Sequence, residues 1–167
     1  MTFTAVVVTV SDSVSLGDAK DISGACAEEI LAAKGFELRP RRNVPDEGTL
    51  IGNLLINLIG QGVDLIVTTG GTGFGPRDVT PEATRSVVDR EAPGLAELMR
   101  AEGRKKTPMA ALSRGIVGSR SKTLIVNLPG SPKAVEESLE ALSPVLPHAL
   151  ETLCGYTAHP HGTPSPE

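Results

Sequence analysis

The run Thr68-Thr69-Gly70-Gly71-Thr72-Gly73-Phe74-Gly75-Pro76-Arg77-Asp78-Val79-Thr80-Pro81 sets glycines, hydroxyls and a carboxylate directly after an apolar segment. Glycine reaches backbone conformations closed to other residues and leaves amide N–H groups uncovered. Such amides bind anions, phosphate above all, where a loop joins a strand end to a helix start. Both flanks are present. Val63-Asp64-Leu65-Ile66-Val67 has the β-branched, apolar pattern of a strand buried on both faces. Thr80-Pro81-Glu82-Ala83 reads as a helix start, with Thr80 as N-cap and Pro81 at the first helical position. A Gly-rich connector without a ligand has the same local pattern, so the elements around the loop must discriminate.

Residues 3–10 read as a first strand. Ile22, Cys26, Ile30 and Ala33 recur at helical spacing over 21–34, and Gly35 stands where that helix would end. Residues 36–44 fit a second strand, and Asp46 can cap a helix whose stripe is Leu50, Ile51, Leu54, Leu55, Leu58 and Ile59. Residues 63–68 form a third strand, and helices are predicted over 81–90 and 93–105. Residues 116–119 and 123–127 read as strands around a tight polar turn. A last helical stretch over 132–153 should be kinked or divided by Pro144 and Pro147. This alternation predicts an α/β fold: one doubly wound, mostly parallel sheet with helices on both faces, a Rossmann-like three-layer sandwich.

Ligands of such sheets bind beyond the carboxyl ends of the strands. Ser11-Asp12-Ser13, Asn43-Val44-Pro45-Asp46, the glycine loop and Asn127-Leu128-Pro129-Gly130-Ser131 all fall there. The candidate binding residues are therefore Ser11, Asp12, Gly70, Gly71, Thr72, Gly73, Asn127, Pro129, Gly130 and Ser131, with Asp46 and Asp78 as candidate working carboxylates. Each has a blander role open to it. Asp46 suits a helix N-cap, Asp78 a turn or a partner for Arg77, and Ser131 an N-cap ahead of Pro132.

The chain has 167 residues, enough for one domain with a sizeable core. Hydrophobic residues make up 40%, while aromatic residues make up 2%, so the core must be aliphatic. Few aromatics argue against single-stranded nucleic-acid binding, and a net charge of −4 argues against duplex binding. The basic clusters Arg39, Arg41, Arg42 and Arg104-Lys105-Lys106 read as solvated faces. Cys26 and Cys154 show no metal-ligand spacing and read as buried small hydrophobes. No run approaches membrane-spanning length, and a cytoplasmic protein is expected. Residues 1–156 are expected to form the domain, and 157–167, with His159 and His161, a flexible tail.

Through Thr69-Gly70-Gly71-Thr72-Gly73, Arg77-Asp78-Val79-Thr80-Pro81 and Asn127-Leu128-Pro129-Gly130-Ser131-Pro132, with Val44-Pro45-Asp46, the sequence resembles the MogA/MoaB family of molybdenum-cofactor biosynthesis proteins. The resemblance extends from Val6 to about Gly155. It implies a doubly wound fold, trimers or hexamers, and transfer of AMP from ATP to the terminal phosphate of molybdopterin. It also implies that the family's acidic residues fall on Asp46 and Asp78, here candidate Mg²⁺ ligands with Asp12 as a weaker third. Its pterin contacts would fall near Ser11, Gly70, Gly71, Thr72, Gly73 and Ser131, and a molybdate-insertase protein is the implied recipient of the product. The alternative is a non-catalytic MoaB-type molybdopterin-binding or carrier protein. No Ser-His-Asp or Cys-His arrangement is visible, so catalysis would proceed by positioning and charge stabilisation.

Overall fold

Val6, Val8 and Val10 of the first strand pack into one hydrophobic cluster, Ala5 and Val7 into another. This alternation follows from the two-residue period of a strand and divides the core into layers above and below a sheet. In the computed structural model, which describes residues 2–156, the strands are β1 (Thr4–Val10), β2 (Glu37–Leu38), β3 (Arg42–Val44), β4 (Leu65–Thr69), β5 (Arg90–Glu91), β6 (Val117–Arg120) and β7 (Thr123–Leu128). They form one seven-stranded sheet in the order β2-β1-β4-β7-β6-β5, with β3 also on β1. Pairing is parallel from β2 and β3 through β1 and β4 to β7, and antiparallel at β6 and β5.

One face carries α2 (Ile22–Ala33), α5 (Pro93–Arg104), α6 (Pro132–Leu142) and α7 (Leu146–Leu153), which bury Leu31, Met99, Leu139 and Leu150 against Val67 and Val126. The other carries α3 (Gly48–Gly60) and α4 (Thr80–Arg85), where Ile51, Leu55 and Ala83 meet Ile66 and Ile125. Each fully buried Leu or Ile of these layers contributes about 1.5–3 kcal/mol relative to exposure. The architecture is the expected three-layer α/β sandwich. No helix among the described residues is long and apolar enough to cross a membrane.

Several elements differ from the sequence reading. The second strand is two pieces, β2 and β3, which flank Arg39-Pro40-Arg41, since Pro40 has no N–H to give a ladder. A short helix α1 (Asp12–Ser15) follows β1 at once, capped by Ser11, whose Oγ accepts from Val14 N at 3.3 Å. The helix expected over 81–90 ends at Arg85, and β5 then pairs with β6. The last helical stretch divides into α6 and α7 around Pro144, whereas Pro147 lies in the first turn of α7, where a missing N–H costs nothing. Cys26 and Cys154 are only partly buried, at the edge of the core. Residues 157–167, including His159 and His161, lie outside the described residues.

Candidate active site

Parallel pairing brings the ends of β1, β3, β4 and β7 to one edge, and hydrogen bonds join them there. Ser11 N donates to Val44 O at 3.0 Å, and Thr69 Oγ1 donates to Pro129 O at 2.8 Å. Gly70 sits among these ends with φ 98°; a Cβ on it would stand 2.3 Å from the Val10 carbonyl oxygen. Gly71 follows with φ 65°, and its Cβ would stand 2.3 Å from Thr80 Oγ1 and 3.1 Å from Asp46 Oδ1. Only glycine fits at either position.

The carbonyls of the loop are held one after another. Gly70 O accepts from Thr80 Oγ1 at 2.9 Å and Gly71 O from Thr80 N at 3.1 Å. Thr72 O accepts from Arg114 N at 2.9 Å, and Gly73 O from Arg114 Nε at 2.6 Å. In a trans peptide the carbonyl and the following N–H point opposite ways. The N–H groups of Gly71, Thr72, Gly73 and Phe74 are therefore turned away from the groups that hold the carbonyls, as the amides of an anion-binding loop must be.

Gly71, Thr72 and Gly73 form a wall of a cavity of about 420 Å³. Asp78, Pro129, Gly130 and Ser131 also line it, as do Met99, Met109 and Leu112 from α5 and from a 3-10 turn at Pro108–Leu112. Ser131 caps α6, its Oγ accepting from Ala134 N at 3.2 Å, so the N-terminus of a helix faces the same space. Asn127 lines the cavity as well, but its side chain is engaged inside the protein. Nδ2 donates to Thr68 Oγ1 and Thr84 Oγ1 at 2.9 Å, and Oδ1 accepts from Ile116 N at 3.3 Å. The expected contact residue is here a buried brace.

Ser11, Asp12 and Asp46 are not among the cavity lining; Asp46 stands beside Gly71, and Asp12 is bonded to Asp46. Asp46 does not cap α3, whose N-cap is Glu47; its carboxylate turns instead to Asp12 at the start of α1. Asp12 N donates to Asp46 Oδ2 and Asp46 N to Asp12 Oδ1, each at 2.9 Å. Arg77 closes the group with Nε at 3.1 Å from Asp12 Oδ2 and Nη2 at 2.9 Å from Asp12 Oδ1. Asp78 folds back on its own loop, where Oδ2 accepts from Gly75 N at 2.7 Å. Thr80, expected as the cap of α4, is instead its first residue, and its hydroxyl serves Gly70.

The hydrogen bond from Arg77, with that from the Asp46 amide, holds the Asp12 carboxyl below its ordinary range. Burial pushes Asp46 the other way, assisted by the charges of Asp12 and Asp78 and opposed by the Asp12 amide and Arg77. The site therefore concentrates negative charge that its own arginine, spent on Asp12, does not neutralise. Glu82 is lowered by its hydrogen bond from Arg114. An acid whose folded value is lowered contributes stability above its unfolded value and loses it as pH falls through the folded one. Thermal denaturation followed below about pH 4 should thus show a steeper loss in the native chain than in a variant carrying Asp12→Asn and Glu82→Gln. Equal slopes would contradict this assignment.

Sequence reasoning missed Arg114 and the wall contributed by α5 and the 3-10 turn. The available signal was Ser113-Arg114-Gly115, a small-basic-small triplet just ahead of β6.

A mostly parallel sheet that presents a glycine loop, clustered carboxylates and a capped helix at its carboxyl edge defines a three-layer α/β domain with a candidate anion site. Within that class the chain belongs to the family described as "Probable molybdopterin binding domain", which matches residues 6–148. It is 43% identical over 154 residues to the molybdopterin adenylyltransferase of Helicobacter pylori (strain J99), covering 89% of this chain and 86% of that one. With the molybdopterin adenylyltransferase of Escherichia coli (strain K12) it shares 42% identity over 139 residues, 81% of this chain and 71% of that one. The crystal structure of the molybdopterin biosynthesis enzyme MoaB from Thermus thermophilus superposes with a TM-score of 0.87 at 54% identity, over 92% of this chain and 97% of that one.

Proposed function

We propose that this chain is a molybdopterin adenylyltransferase of molybdenum-cofactor biosynthesis. A terminal phosphate oxygen of molybdopterin would attack the α-phosphorus of ATP, and the bond to the leaving pyrophosphate would break. The observation that carries this reading is the glycine loop itself, its carbonyls held by Thr80 and Arg114, between a partly apolar cavity and a carboxylate cluster. The cavity suits a pterin whose phosphate reaches the loop. The names of the relatives at 42–43% identity support the same reaction.

Two polyanions brought together repel, and a helix N-terminus offsets only about 0.3–1 kcal/mol of this. The site fits a divalent ion. Its carboxylates are hard oxygen donors, and Asp46 is held toward its neutral form by burial first and by the charges of Asp12 and Asp78 second, negative charge that a cation would relieve. Among the described residues no group of three or more His, Cys, Asp or Glu is placed to hold a metal, so Mg²⁺ would take Asp46 and Asp78 with phosphate oxygens and water. Once bound it would neutralise charge on the phosphates. Domain 1–156 would work in the cytoplasm as a homotrimer or hexamer, which sedimentation checks, and its product would pass to a molybdate-insertase protein.

The deciding experiment is product analysis after incubation with molybdopterin, ATP and Mg²⁺. Adenylylated molybdopterin is expected, with pyrophosphate released only when molybdopterin is present. Tight binding without product would instead favour a non-catalytic carrier.

A further inference from the structure

Arg114 ties together parts of the site that lie far apart in sequence. It stands between the 3-10 turn and β6, where with Arg85 and Arg100 it lines a second cavity, of about 280 Å³. Its Nε donates to Gly73 O at 2.6 Å and one Nη to Asp78 O at 2.7 Å, while the other pairs with the Glu82 carboxylate. Its own N–H donates to Thr72 O at 2.9 Å, and its guanidinium carbon stands 5.7 Å from the centre of the Phe74 ring. Arg114 does not itself line the larger cavity, whereas Thr72, Gly73 and Asp78 do.

We propose that Arg114 is a positioning residue. Its guanidinium fork sets the peptide groups that follow Gly73 and Asp78, while its backbone N–H holds the one that follows Thr72, and the fork so presents the loop amides and the Asp78 segment to an anionic group of the ligand without touching that ligand. That the anion is the terminal phosphate of molybdopterin rests on the function proposed above; the loop geometry does not. The chemistry requires arginine. A planar guanidinium directs donors at two carbonyls and a carboxylate at once, whereas a lysine ammonium acts as one compact point charge. The contact with Glu82 cannot be the main purpose, because a pair with a half-exposed carboxylate contributes little stability.

The test compares the full chain with Arg114→Lys, Arg114→Ala and Glu82→Gln. Three quantities are measured: melting temperature, amide hydrogen exchange over residues 70–79 in the ligand-free protein, and the dissociation constant for molybdopterin without ATP. Arg114→Lys should melt within a few degrees of the native chain, yet its loop amides should exchange about tenfold faster and molybdopterin should bind about tenfold more weakly. Glu82→Gln, which weakens one arm of the fork, should show a smaller change in both. A lysine variant whose loop exchange and affinity stay within about twofold of native would overturn the proposal. So would exchange that rises equally throughout the protein, the mark of general destabilisation. If Arg114→Ala does not fold, the lysine variant decides. A native chain that binds molybdopterin without releasing pyrophosphate would sink the adenylyltransferase reading alone, and one that does not bind it leaves local exchange to judge Arg114.

Discussion

Asp46→Asn and Asp78→Asn are each expected to reduce adenylylation by about 10²–10³-fold or more, the scale on which losing a preorganised electrostatic group slows catalysis, while the chain stays folded. The substitutions are nearly isosteric, and each retains an acceptor for the hydrogen bond that the carboxylate makes. Asp46 Oδ2 accepts from Asp12 N and Asp78 Oδ2 from Gly75 N, and an amide oxygen can replace either. Charge is what disappears, and charge is what a cation at the phosphates would need. Stability should move the other way at Asp46. Burial and two neighbouring carboxylates raise its folded pKa, so the neutral form is favoured in the folded state and the ionised form costs stability at pH 7. Asp46→Asn should therefore melt at or above the native temperature while turning over far more slowly. Thermal denaturation beside a pyrophosphate-release assay checks both. Near-native turnover in both variants would remove the carboxylates from the mechanism.

Much of this site was legible because its parts sit where strand periodicity ends. Val6 to Val10 and Leu65 to Val67 announce strands by composition, and parallel pairing then places their polar ends together. Gly70 and Gly71 could be singled out because no other residue reaches those conformations at that approach. The roles of individual side chains were less legible. Asp46 after Pro45 looks like a helix cap, and only the proximity of Asp12, 34 positions away in sequence, shows that its carboxylate is used elsewhere. Asn127 falls at a strand end as a ligand contact should, yet two threonine hydroxyls and the Ile116 amide just ahead of β6 satisfy it internally. Arg114 was invisible because its partners are backbone carbonyls 36 and 41 positions upstream, and a carbonyl carries no sequence signature.

Gly70→Ala should be far more damaging than its single methyl suggests, and comparison with two other glycines separates the reasons. Gly35, with φ 85°, has nothing within 4 Å of where a Cβ would stand, so Gly35→Ala incurs the backbone strain alone, about 1–3 kcal/mol. Gly71→Ala adds a steric term. The methyl would fall 2.3 Å from Thr80 Oγ1, on a fully buried residue, and the hydroxyl must give up Gly70 O to escape. A buried hydrogen bond broken in this way costs about a further 1–3 kcal/mol. The loop would also lose the pinned carbonyl that orients its next amide, so ligand affinity should fall even where the chain folds. At Gly70 the obstacle is the Val10 carbonyl oxygen, 2.3 Å away in the backbone of a central strand, which has no rotamer with which to yield. Unfolding midpoints in urea should accordingly fall in the order Gly35→Ala, Gly71→Ala, Gly70→Ala, the last close to loss of the fold. If Gly70→Ala were no more costly than Gly35→Ala, the close meeting of strand ends at this loop would be wrong, and with it the pocket those ends are held to build.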